Sequence, residues 1–250
     1  MENKKLEILV VEDNEKHLAD AKGIFEKYGE HINVIYATNL RDAGAALAAA
    51  KLDGVISDVF FSYDGPSWNR EVADKCSEAL KQQLNRLREY WEYRTVALKW
   101  QVHGTGLPPA GVLVAEEAMK QNIPVVLCTS TYHHSLATEP INHYARDKKI
   151  ELVDVYTGER DFNNEWTEGE SKDWGRALAS LVLSVELERN RERIRRDYKP
   201  SEDWRKDDPR DKLIQPILEQ LSEKYKGIFS PDDLKRLALK YTHPVWEGLR

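Results

Sequence analysis

Five short apolar runs constrain this chain more than any other feature of it. They are LEILVVED (Leu6–Asp13), INVIYAT (Ile32–Thr38), GVISD (Gly54–Asp58), IPVVLCT (Ile123–Thr129) and IELVDVY (Ile150–Tyr156). Each is strand-sized, nearly apolar throughout, and separated from the next by a stretch that can form a helix. A strand that is apolar at every position has no solvent face, so the pattern specifies a parallel sheet covered on both sides. The fold class is therefore α/β, a doubly wound five-stranded parallel sheet. Asn14 is a natural N-cap for a helix over Lys16–Tyr28, and Asn39 for the Ala-rich LRDAGAALAAAK.

In such a sheet the carboxyl ends of all strands lie along one edge, where ligands bind. Strand one ends in Glu12 and Asp13, strand three in Asp58, and strand four in Thr129 and Ser130. Three carboxylates and a hydroxyl thus converge on one crevice. Acids crowded together repel, and a hard divalent cation such as Mg²⁺ relieves them. A cation beside a carboxylate able to attack phosphorus makes a phosphoryl-accepting site.

The runs ILVVEDN, VISDVFF and IPVVLCTS resemble the first, third and fourth strands of response-regulator receiver domains. GLPPAGVLVAEEAMKQN (Gly106–Asn122) resembles the segment that in that family follows the aspartate. The resemblance covers residues 4 to 195 by order of elements. It implies two-component signalling, with Asp58 as phosphoacceptor and Thr129 as switch hydroxyl. Glu12, Asp13 and Asp58 would bind Mg²⁺, and a histidine kinase or another protein would be the partner. It also implies a lysine just after strand five. None follows there: the strand leads into DVYTGERD, and Lys148 and Lys149 lie at its other end, ~20 Å away at ~3.3 Å per residue. Arg160, in the loop, is no geometric substitute. The expectation is a site without its lysine.

A second departure is an insertion over 59–105, between Asp58 and the Leu107-Pro108 segment. Val72, Cys76, Leu80, Leu84, Leu87, Trp91 and Leu98 form a stripe at helical spacing. Unbroken, that helix would run about 32 residues, or ~48 Å. It either packs on its own domain or serves as a surface for a partner or a second copy. Trp68, Tyr90, Trp91, Tyr93 and Trp100 suit both. Domain boundaries are expected at 1–199 for the receiver-like part and 200–250 for a C-terminal helical extension. The stretch Trp174 to Arg196 reads as one helix, apolar in ALASLVLSV and charged in ELERNRERIRR. In the extension, DPRDKLIQPILEQLSEKY and SPDDLKRLALKY read as two helices, the second capped by Ser230 with Pro231 at its first position. These helices could also pair two copies.

Composition removes other classes. The net charge is −6, and residues 200–250 carry ten basic and ten acidic side chains, so no basic surface for nucleic acid is expected. Charged residues reach 32%, which fits long solvated helices. No run is long enough to cross a membrane, and the first residues lack a signal-peptide core. The two cysteines, Cys76 and Cys128, have no metal spacing and read as reduced, buried side chains of a cytoplasmic protein. His103, His133 and His134 read as loop residues. A phosphatase of another α/β family would need a second aspartate two residues after Asp58, where Phe60 stands. Two readings stay open: a receiver switched by phosphorylation of Asp58, and a pseudo-receiver that acts through protein contacts.

Overall fold

A computed structural model describes residues 4–64, 69–87, 107–130, 138–154, 172–190 and 209–230. The chain divides into two compact units, Met1–Ala177 and Leu178–Arg250.

The first unit is built on five parallel strands in the order β2-β1-β3-β4-β5. They are β1 (Leu6–Val11), β2 (Ile32–Ala37), β3 (Gly54–Asp58), β4 (Val125–Cys128) and β5 (Glu151–Val153). This is the flavodoxin-type order, which reverses direction between β1 and β3 and opens a crevice at their carboxyl ends. The observed strands are shorter than the apolar runs at some ends, because the outer residues turn away to meet loops. Register aligns the ends: Val11 pairs with Ser57, Asp58 with Cys128, and Cys128 with Val153.

Alternation along the strands divides the core between two faces. Leu9, Val11, Val55 and Leu127 belong to one cluster with Ala43 and Leu47 of helix α2 (Leu40–Ala49). On the other face α1 (Glu15–Phe25) buries His17, Ala21 and Phe25 at every fourth residue. Phe25 meets the ring of Trp174 edge-on, with centroids 6.0 Å apart. Both expected caps form: Asn14 accepts from the amides of Lys16 and His17, and Asn39 from that of Asp42.

The insertion does not make the long continuous helix that its stripe suggested. Helix α3 (Arg70–Ala79) is capped by Asn69 and buries Val72, Ala73 and Cys76. The chain then leaves helical geometry at Leu80 (φ −93°, ψ 5°), a residue with no exposed surface, before α4 (Lys81–Leu87) begins. Leu80 joins the core of the first unit, and Gln83 of α4 donates to Asp147 at 3.1 Å. Packing on its own domain is thus what residues 69–87 do. The side chains of Leu84 and Leu87, and residues Trp68, Tyr90, Trp91, Tyr93, Leu98, Trp100 and His103, lie outside the described residues.

After the insertion the chain returns to where it left. The amide of Gly111 donates to the carbonyl of Val59 at 3.0 Å. A Cβ at Gly111 would stand 2.1 Å from the carbonyl oxygen of Asp58. Only glycine permits that approach. Helix α5 (Gly111–Lys120) starts from this contact and buries Val112, Val114, Ala115 and Ala118. Helix α6 (Glu139–Lys148) precedes β5, and Lys149 closes it in the left-handed conformation.

Helix α7 (Trp174–Arg189) begins in the first unit and supplies the start of the second. There α8 (Pro209–Lys224) contributes buried Ile217, Leu218 and Leu221, followed by Tyr225, Ile228 and Phe229. Within this unit Glu186 accepts from Tyr225 at 2.5 Å, from Lys224 at 2.8 Å and from Arg189 at 3.1 Å. The expected helix after Ser230, and the charged run beyond Asn190, lie outside the described residues.

Candidate functional site

The register just described delivers the three carboxylates to one place. Glu12 and Asp13 follow β1 directly, and Asp58 is the last residue of the neighbouring β3. One oxygen of each lies within 4.8 Å of the others, the only such group that could hold a metal ion among the described residues. Glu12 is fully buried, Asp58 nearly so, and Asp13 partly. Thr129 is buried at the end of β4, one residue beyond the partner of Asp58, and its amide donates to the carbonyl of Val153 at 2.9 Å. His133, His134 and Arg160 lie outside the described residues.

Backbone donors hold each acid in place. The amide of Asn14 donates to Oε1 of Glu12 at 3.0 Å, and that of Val59 to Oδ1 of Asp58 at 2.7 Å. The amide of Ser62 reaches Oδ2 of Asp13 at 3.3 Å. Ser62 is itself anchored, because its carbonyl accepts from the amide of Leu40 at 3.0 Å. The loop after β3 is therefore stitched to the acidic pair after β1 and to the start of α2.

One expectation is corrected here: the crevice does contain a lysine. The Lys172 ammonium lies 2.7 Å from Oδ1 of Asp58 and also bonds Oε2 of Glu12. It arrives from just ahead of α7, far beyond the end of β5, and only 3% of the residue is exposed. Counting forward from strand five missed it. Counting backward from α7 finds it, since Lys172 stands directly before the helix-capping Asp173, whose carboxylate accepts from the amide of Arg176 at 2.9 Å. The remote lysines behave as expected: Lys148 pairs with Glu116 of α5 at 3.3 Å.

The electrostatics follow from burying three acids with one ammonium. Burial, and then the charge of Asp58, push the Glu12 carboxyl up to about 8 despite the opposing pull of Lys172. The same two causes push Asp13 up to about 6. Burial works against the charge of Lys172, but Asp58 and Glu12 outweigh it and hold its pKa above the ordinary lysine value. Burial and the Lys172 charge push His17 down, and its Nδ1 has no partner among the described residues. Cys76 and Cys128 are buried free thiols, both pushed up by burial, so neither is a nucleophile here.

The donor set fits a hard divalent cation. All the ligand atoms are carboxylate oxygens, and they sit close together.

The strand order, the acids at the β1 and β3 ends and the segment returning at Gly111 decide the architecture. The fold is receiver-like. No family model and no curated protein matches the chain. Among solved structures, the signal receiver domain of an HD domain-containing protein from Pseudomonas fluorescens Pf-5 is 14% identical. That match covers 73% of this chain and 98% of that one, with a TM-score of 0.38. A fusion carrying the trimeric coiled coil of yeast Spc42 is 17% identical over 89% of this chain and 98% of that one, with a TM-score of 0.41. At such values the likeness carries no weight beside the sheet topology. Among the described residues no helix is long and apolar enough to cross a membrane.

Proposed function

We propose that this receiver-like unit is a signalling module in which Asp58 accepts a phosphoryl group. The observation that carries the reading is the ammonium of Lys172 on the Asp58 carboxylate, inside a cluster of acids suited to a cation. A carboxylate attacks phosphorus only when charge on the transferring oxygens is offset. One oxygen of Asp58 attacks, the bond from phosphorus to the donor breaks, and the donor leaves with that electron pair. Glu12, Asp13 and Asp58 would hold Mg²⁺, which when bound supplies most of the charge compensation. Lys172 supplies a further positive charge to the new phosphoryl oxygens, and the Thr129 hydroxyl a hydrogen bond. The short Gly111 approach keeps the Asp58 backbone still while its side chain reacts. A histidine kinase or a small acyl phosphate is the donor class, and the output is a protein contact.

The pseudo-receiver reading has one observation of its own: Lys172 grips Glu12 as well as Asp58, so the acids are already partly neutralised without a cation. Intact-mass measurement with acetyl phosphate and Mg²⁺ separates the two. The expected result is a single phosphoryl addition that Asp58→Asn abolishes. Absence of any addition, with beryllofluoride also failing to bind, would leave only the scaffold role.

A further inference from the structure

Both roots of the insertion meet at one residue. Val59 donates its amide to Oδ1 of Asp58 at 2.7 Å, and its carbonyl accepts from the amide of Gly111 at 3.0 Å. Between those roots the described helices dock at two separate places: α3 packs against α5, and α4 packs against α6.

The two contacts differ in kind. Helix α3 buries the apolar side chains of Val72, Ala73 and Cys76. Among the described side chains of α4, the buried one is an amide, Gln83, 4% exposed. Its Nε2 donates to Oδ2 of Asp147 at 3.1 Å, while its Oε1 is buried with no hydrogen-bond partner among the described residues. Turning the amide over would set Oε1 against a carboxylate, which only accepts. A buried acceptor without a donor favours any state in which water reaches it. Asp147 is exposed, so water can replace Gln83 there. The Lys81–Glu78 pair that spans the break at Leu80 is solvent-exposed and adds little. Helix α6 has other fastenings: Tyr144 donates to Glu116 of α5 at 2.8 Å, Lys148 pairs with the same carboxylate at 3.3 Å, and the chain runs on into β5.

We propose that α4 is a releasable strap: it covers α6, hinges at Leu80, and lets go when Asp58 carries a phosphoryl group. The inference rests on the phosphoryl-accepting reading above and adds what that event moves. In an acyl phosphate the Asp58 carboxyl has lost its own charge, so the Val59 amide donates to a weaker acceptor. Val59 cannot shift alone. A Cβ at Gly111 would stand 2.1 Å from the Asp58 carbonyl oxygen, so the two backbones have no slack between them. The change therefore acts on the insertion from both ends, whereas α6 stays with β5. The contact with the surplus buried oxygen opens first.

Hydrogen exchange of the full chain with Mg²⁺, with and without beryllofluoride, tests this, bound beryllofluoride being read by its ¹⁹F signal. Amides over 81–87 should exchange about tenfold faster with beryllofluoride, while 70–79 and 111–120 keep their protection. Bound beryllofluoride with 81–87 unchanged overturns the strap and leaves the phosphoryl reading intact. Absence of bound beryllofluoride overturns both. Equal acceleration over 70–79 overturns the hinge at Leu80. Gln83→Leu keeps the side-chain bulk and removes the unpartnered oxygen, so it should slow exchange over 81–87 about threefold in the free protein. Faster exchange in that variant would show that the amide fastens α4, and the proposal fails.

Discussion

Glu12 in the crevice and Glu186 in the second unit are the same side chain at nearly the same burial, 0% and 5% exposed, yet their carboxyls move in opposite directions. Burial pushes both up. Around Glu186 that push is outweighed by hydrogen bonds from Lys224 and Tyr225 and by the charges of Lys224 and Arg189, so its pKa ends below the ordinary value. Around Glu12 it adds to the charge of Asp58, and one lysine cannot cancel the sum. The difference is stoichiometry: one acid among three donors in the second unit, three acids around one ammonium in the first. A saturated carboxylate holds helices together. An under-compensated cluster stores unfavourable energy that a ligand can release.

The largest test of this contrast removes the one cation from the crevice. Lys172→Met leaves two buried carboxylates uncompensated and should cost about 3–5 kcal/mol in urea unfolding without metal. Added Mg²⁺ should restore much of that loss. A cost below about 1 kcal/mol would show that the ammonium does not hold the acids.

Next in size is the pH dependence. The Glu12 carboxyl, ordinarily at 4.5, stands at about 8 in the folded protein, so the folded state binds more protons than the unfolded chain between those values. This contribution is fully present below about pH 4.5 and is lost as pH rises toward 8. Asp13 acts the same way from 3.8 to about 6. The metal-free first unit should therefore become less stable from pH 5 to 8, and Mg²⁺ at pH 8 should recover the loss. Glu186 has the opposite sign: its contribution is present above pH 4.5 and lost as pH falls through its lowered folded value. Hydrogen exchange, read separately over 59–62 and 217–229, would show the two trends crossing. Parallel trends would refute the comparison.

Glu186→Gln should cost about 1–2 kcal/mol and open amides near Leu218 and Tyr225, because charge-assisted hydrogen bonds become neutral ones. The smallest effect is a gain. Asp13→Asn relieves repulsion without touching the ammonium, so the metal-free protein at pH 8 should become more stable by about 1 kcal/mol. The same variant should lose its response to Mg²⁺. A destabilised Asp13→Asn protein would show that the Ser62 contact, not repulsion, dominates at this acid.

Much of the architecture was legible in the residues. The five strands, the Asn14 and Asn39 caps and the carboxyl-edge positions of Glu12, Asp13 and Asp58 follow from apolar runs and capping chemistry, which act between near neighbours. The return at Gly111 was visible as Leu-Pro followed by glycine, although not the reason: a backbone approach that excludes a Cβ. Helical spacing marked residues 70–87 as helical but could not show the break at Leu80, because a stripe states which face is apolar and not what it packs against.

The sequence by itself determined a parallel α/β sheet with acids at one edge, since strand periodicity and the direction of the chain place those ends together. Only the tertiary structure decided the charge balance of the crevice. Lys172 is distant from Asp58 along the chain, so no local pattern links them. Its position depends on where the chain ahead of α7 is fixed, by Trp174 against Phe25 of α1. That packing sets a single ammonium between two carboxylates, because in a buried site uncompensated charge is the costliest term and the lysine side chain is long enough to reach it.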